Sequence, residues 1–267
     1  MKTSTLISAL ALAGSAAALP KQRRTKNEDL PTTVVANITV VDTQLVRDVR
    51  AEVEKFKELQ PYLYYHVYRT WLFGAAAFNY NETLKSQVDL ELHAIGTLMH
   101  DLGWDMRPDS PWVTQENRFE VDGGIGAMNF IKSHGCVSEW DDARLEKIYD
   151  GIVLQAIPGV VEHKNIDSQW IVMSVGFEFP GPHSPLIPDH DYDTILAEFP
   201  NDKLYRGSNA TFTWMAETKS AATYNTFIAP FGYNFVPGYN ETPNRLYDYI
   251  QMGLTMELAA HPNSTFP

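Results

Sequence analysis

The sequence predicts an all-α, single-domain helical bundle. Three observations carry this: apolar residues recur at helical spacing in most of the chain, strand signals are few, and no repeat, low-complexity block or long linker divides it. The 267 residues are 44% hydrophobic and 20% charged, enough for one domain with a large core and too apolar for a disordered tail.

The first element after the leader is Thr33 to Val41, the best strand signal, expected as an extended arm leading into the helices. Leu45, Val46, Val49, Val53 and Phe56 then mark an amphipathic helix from Asp42 to about Leu59, closed by Pro61. Tyr62 to Phe78 is apolar or aromatic almost throughout around His66 and Arg69, so this helix belongs in the interior. A third helix spans Ser86 to Leu102 and stops at Gly103. Val121, Ile125, Met128 and Ile131 predict a helix over Arg118 to His134. Its glycines 123, 124 and 126 weaken it in isolation and suit close packing. Ser138 to Asp141 supplies a cap and an acidic first turn for a helix reaching about Ile157. Residues 167–178 and 189–199 suggest two more, and Asn244 to Ala260 a last one.

The N-terminus has the three regions of a secretory leader: Lys2, the apolar run Leu6 to Ala13, and small residues ending at Ala18, the expected cleavage point. Residues 19–40 are then a processed or extended segment, with a dibasic step at Arg23-Arg24, and 41–267 the helical domain. Five sequons, at Asn37, Asn81, Asn209, Asn240 and Asn263, agree with export and N-linked glycans. A secreted protein is therefore expected, and one that does not reside in a membrane, since no later stretch has about 18 uncharged apolar residues.

Charge excludes a further class. With 21 basic against 33 acidic residues the chain carries −12, so a nucleic-acid-binding face is not expected. The lone Cys136 removes any disulfide framework and any cysteine-based zinc site, which leaves metal chemistry to His and carboxylates. Asp189 to Asp193 lacks the Gly and Glu of a calcium loop, with Thr194 and Pro200 in those places.

The chemistry-bearing candidates are few. His100 and Asp101 are adjacent at the end of the third helix, pointing about 100° apart, so both reach one ion only if it sits over that edge. His66 lies mid-helix among apolar residues, where an imidazole needs a ligand or a hydrogen-bond partner. His93, seven residues before His100, is expected to be a hydrogen-bonded core or supporting residue.

This arrangement, His66 followed by Leu98-Met99-His100-Asp101-Leu102-Gly103, resembles the HD-domain family of metal-dependent hydrolases. Within it the closer resemblance is to cyanamide hydratase-like proteins. That resemblance rests on His66-Val67-Tyr68-Arg69-Thr70-Trp71, Arg118-Phe119-Glu120-Val121-Asp122-Gly123, Thr223-Tyr224-Asn225, and Phe231-Gly232 with Phe235 to Tyr239. It covers residues from about 40 to 255 and implies an HD-type bundle holding one divalent ion, zinc or iron. The implied ligands are His66, His100, Asp101 and Glu178, the last in Glu178-Phe179-Pro180-Gly181-Pro182 where the family has Asp. Catalytic roles are implied for Asp101, as water-orienting base, and for His163, as proton donor. A helix-terminal imidazole explains His163 equally well. The implied reaction adds water to a small carbon–nitrogen substrate. A phosphohydrolase and a secreted metal-binding glycoprotein without turnover are the alternatives, and the oligomeric state stays open, a homo-oligomer included. Two further departures from the family are Lys219-Ser220, where Lys-Pro is common, and Trp104, a bulky ring where a small or polar residue is usual.

Overall fold

A computed structural model describes residues 27–179, 184–239 and 246–261. Among these it has eleven α-helices and one two-stranded sheet, the all-α architecture expected. The leader, the dibasic step, Asn240 and Asn263 lie outside the described residues.

The expected extended arm is a hairpin instead. Strands β1 (Thr32–Val35) and β2 (Ile38–Val41) pair antiparallel, with Val35 opposite Ile38. The two turn residues, Ala36 and Asn37, have φ of 47° and 61°, the left-handed pair that a two-residue hairpin turn demands. Asn tolerates this region through its short polar side chain, and that was the local signal for a turn. Ile38, Val40 and Val41 are buried, so the hairpin is part of the domain's core.

Thr43 caps α1 (Gln44–Val53) by accepting from the Val46 amide, and a 3-10 segment, Glu54–Glu58, completes what reads in sequence as one longer helix. Pro61 occupies the first turn of α2 (Pro61–Tyr80), where its missing N–H costs nothing. Fifteen residues of α2 are buried, so it is the central helix that its all-round apolar sequence predicts. The third expected helix, Ser86 to Leu102, is shorter than expected and is preceded by a separate single turn. Asn81 starts the single turn α3 (Glu82–Lys85), and Asp89 starts α4 (Leu90–Met99), each accepting from an amide three residues on.

The remaining helices surround α2 and α4. They are α5 (Phe119–His134), α6 (Asp142–Val153), α7 (Ile166–Gly176) and α8 (Asp189–Glu198). Asp141 and Asn165 cap α6 and α7. Gly123 lets α5 approach the end of α4: a Cβ there would stand 3.0 Å from the His100 carbonyl oxygen. The first turn of α5 is also tied to Lys219, whose buried ammonium donates to Asp122 Oδ2 at 2.7 Å.

Besides the single turn α3, two helices lack a counterpart in the sequence reading, α9 (Leu204–Thr218) and α10 (Ala229–Phe235). The buried side of α9 is Leu204, Gly207, Ser208, Thr211, Phe212, Met215 and Ala216. The spacing is helical, yet more than half of that stripe is small or polar, so hydropathy alone does not mark it. The last helix, α11 (Leu246–Ala260), has no buried residue.

Candidate metal centre

The site forms where α4 ends. His100 is still helical, with φ −59° and ψ −29°, but Asp101 leaves the helix at φ −111° and ψ 28° and begins the 3-10 turn Leu102–Trp104. That departure swings the Asp101 carboxylate round to its neighbour, so two side chains about 100° apart on a regular helix meet at one point. His100 Nε2 and Asp101 Oδ2 lie 3.1 Å apart.

His66 reaches the same point from the middle of α2. Its Nε2 is 3.1 Å from His100 Nε2 and 3.3 Å from Asp101 Oδ2, and all three residues are buried. The tautomers follow from the other nitrogens. His100 Nδ1 donates to the Thr97 carbonyl at 2.7 Å and His66 Nδ1 donates to Glu178 Oε2 at 2.8 Å. Each Nε2 thus presents a lone pair, and both face a carboxylate oxygen. Neither oxygen of Asp101 has a hydrogen-bond partner in hydrogen-bonding geometry. Three lone-pair donors converging in a buried place repel one another unless a cation stands between them.

The spacing suits such a cation. Donors about 2.1 Å from one ion stand roughly 3.0 Å apart at right angles and roughly 3.4 Å apart at tetrahedral angles. The three observed edges fall between these limits, and the group His66, His100 and Asp101 can hold a metal ion. A proton can fill the same place as a metal ion: burial pushes the His66 imidazole toward neutrality, but Asp101 and Glu178 outweigh it and raise its pKa to about 9, so a metal would bind by displacing a proton from Nε2. Burial likewise pushes Asp101 up, and the two imidazoles outweigh it and hold the carboxyl below the usual carboxylate range. The cradle attracts positive charge.

Glu178 is not placed as the fourth ligand. It meets His66 at Nδ1, on the far side of the ring, and its carboxylate is gripped by Arg69 through Nε at 2.5 Å and a terminal nitrogen at 2.8 Å. Arg69 is fully buried and also donates to the carbonyls of Phe199 and Pro200. Both Glu178 oxygens are therefore committed. Burial alone would raise the Glu178 pKa, and Arg69 with His66 overturns this and lowers it. The sequence held the signal for the pairing: Arg69 follows His66 by three residues on one face of an otherwise apolar helix, and a buried guanidinium requires an acid.

His163 does not join the cluster. It is exposed, at the end of a 3-10 turn, Val161–His163, where it supplies no group to the buried triad. His93 sits in the core, its Nε2 donating to Ser174 Oγ at 2.9 Å and its ring against the edge of Phe78. Burial pushes its pKa down to about 3, so it stays neutral.

Aromatic rings enclose the triad. Trp104 stacks on His66 at 5.8 Å and 17°, and packs edge-on against Phe212 and Phe119. Phe179 meets His66 from another side at 5.9 Å. Trp104 is 5% exposed, and its Nε1 has no hydrogen-bond partner.

Compared with known proteins, the chain matches no family model and no curated protein.

Proposed function

We propose that the protein is a secreted, metal-dependent hydrolase or hydratase of HD type, adding water to a small carbon–nitrogen substrate. The observation that carries this reading is the convergence of His66, His100 and Asp101, edges of 3.1 to 3.3 Å, with both imidazole tautomers fixed by Glu178 and Thr97. Two imidazoles and one carboxylate suit zinc or iron, and three protein donors leave coordination positions for water and substrate. When bound, the ion supplies Lewis acidity and acidifies a water.

The chain's own residues do the rest. Glu178 and the Thr97 carbonyl hold the two Nε2 lone pairs in position. Asp101 has two oxygens and no other partner, so one can ligate while the second accepts a proton from the attacking water. Trp104, Phe179 and Phe212 provide apolar walls that exclude bulk water and favour an uncharged substrate of a few heavy atoms.

The phosphohydrolase reading has less support. It needs basic groups for the phosphate, yet Arg69 is engaged by Glu178 and two carbonyls, and Arg118 by Glu120. Exposed positions for Asn37, Asn81 and Asn209 are compatible with glycans on an exported chain.

Metal content of the purified protein, with turnover of cyanamide, simple nitriles and a generic phosphoester before and after chelation, tests the proposal. Chelator-sensitive hydration of a carbon–nitrogen substrate supports it. Phosphoester cleavage alone assigns the site to phosphate chemistry. Bound metal without turnover of any of them leaves a metal-binding glycoprotein.

A further inference from the structure

The terminal helix α11 breaks the pattern of every other long helix in the fold. Eight large apolar side chains between Leu246 and Leu258 are each 44 to 67% exposed, and no residue of the helix is buried. A Cβ built at Gly253, midway along, would meet nothing within 4 Å. Leu246, Ile250, Leu254 and Leu258 follow one another at four-residue spacing, with Tyr249, Met252 and Met256 flanking them. A helix in water exposes its polar face; one that is apolar around most of its circumference is made to be surrounded.

We propose that α11 is a self-association element and that its partner is a second copy of this chain. Area is the first argument. Eight large side chains about half exposed offer on the order of 800 Å², which is about what each partner contributes to a standard-sized specific interface. Charge is the second. Residues 246–260 contain Asp248 and Glu257 but no Lys or Arg, and the chain as a whole carries −12. A helix that lies on an anionic bilayer needs basic residues along its polar edge, so this one is unsuited to that surface.

The third argument is what stands beside its foot. The Leu246 amide donates to Asn225 Oδ1 at 3.2 Å, which fixes the start of α11 near the α10 region, where Phe227 and Phe235 are 41% and 55% exposed. In an isologous pair, each α11 lies against the partner's α11 on one side and its α10 rings on the other, so both sides of an all-round apolar helix are covered twice by one symmetry operation. Gly253 permits close approach of the two helix backbones.

Sedimentation velocity and light scattering on the full chain, across the micromolar range, test this. The expected particle contains two chains. Leu254→Asp and Ile250→Asp each place a charge in the paired face and weaken the dimer about tenfold or more. At a concentration low enough for wild type and variants all to be monomeric, thermal unfolding should be the same, since neither side chain is buried within one chain, and this guards against reading misfolding as dissociation. A wild-type chain that stays monomeric overturns the proposal, as does an oligomer indifferent to both substitutions. Flotation of a monomer with phosphatidylcholine vesicles would reassign the helix to a neutral bilayer. Metal content has no part in this experiment, so its outcome is independent of the proposed activity.

Discussion

Glu178 holds His66 by the nitrogen that faces away from the triad: Oε2 lies 2.8 Å from Nδ1, while Nε2 is turned to His100 and Asp101. The carboxylate thus acts on the site through an imidazole. Glu178→Gln keeps an acceptor for Nδ1–H and should lower metal affinity by about 10- to 100-fold without abolishing it, as expected for a group that orients a ligand. Glu178→Ala goes further, because it strands the buried Arg69 guanidinium and should cost about 3–5 kcal/mol of stability. Metal titration with urea unfolding of both variants separates the two effects. Loss of the ion from Glu178→Gln as complete as from His100→Ala would make Glu178 a direct ligand.

Removal of a donor from the triad has a different signature. His100→Ala and Asp101→Ala should each deplete the purified protein of its ion, whereas the folded body persists. An ion that binds only where the three donors are assembled would stabilise the native state. At a free concentration of about 100 times its dissociation constant the linkage is worth about 2.7 kcal/mol. Chelation should lower the midpoint of thermal unfolding in the wild type and leave both variants unmoved. Retention of metal at full occupancy in both would refute the assignment.

The contrast between the triad and Glu178 shows what the sequence makes legible. His100 and Asp101 are adjacent and His66 is the one imidazole in a largely apolar helix, so all three stand out without a fold. That they meet depends on the φ and ψ of Asp101, a departure from helix no spacing rule states. Glu178 could be singled out as an acid near the site, but which nitrogen of His66 it faces is fixed by tertiary placement against Arg69. His163 was ambiguous for the same reason: a helix-terminal imidazole looks alike whether it points to a site or to water. Helix α2, apolar almost throughout, is visible in the pattern. Helix α5 forms where expected, but of Val121, Ile125, Met128 and Ile131 only Ile131 is buried, and the side it buries holds Phe119, Phe130, three glycines and two acids. Helix α9 is not visible, because Gly207, Ser208 and Thr211 occupy its buried side. In the hairpin, only the Ala36-Asn37 turn distinguishes two strands from one extended run.

His93 supplies a pH dependence that the triad does not touch. Its folded pKa, pushed down to about 3 by burial, lies below the roughly 6.5 of an unfolded histidine. Between those values the unfolded chain binds a proton that the native chain refuses. The contribution is therefore complete above about pH 6.5 and is lost as the pH falls toward 3, with a slope of up to about 1.4 kcal/mol per pH unit. His93→Gln retains a donor for Ser174 Oγ and cannot titrate. Its urea-unfolding stability, measured from about pH 7 to about pH 4, should fall less steeply than that of the wild type by up to this amount. Parallel curves would show that His93 is protonated in the native protein.

Trp104 is where the enclosure of the site becomes a test of what enters it. The ring stacks on His66, closes against Phe212 and Phe119, and carries an Nε1–H with no protein acceptor. A buried donor left unpaired costs about 1–3 kcal/mol, and a substrate nitrogen or oxygen beside the ion would relieve that cost on binding. The wall and the donor can be separated. Trp104→Phe keeps an aromatic wall and removes the N–H, so it should raise KM for cyanamide by about tenfold, one such hydrogen bond, with a smaller change in kcat. Under the proposed activity, Trp104→Thr removes the wall as well and should widen the range of nitriles accepted relative to the wild type, with slower turnover of cyanamide because the reacting group would no longer be confined. If Trp104→Thr leaves the accepted range unchanged, the ring only packs against His66 and does not bound the substrate. Unchanged KM in Trp104→Phe, alongside a widened range in Trp104→Thr, would keep the ring as a wall and withdraw the hydrogen bond.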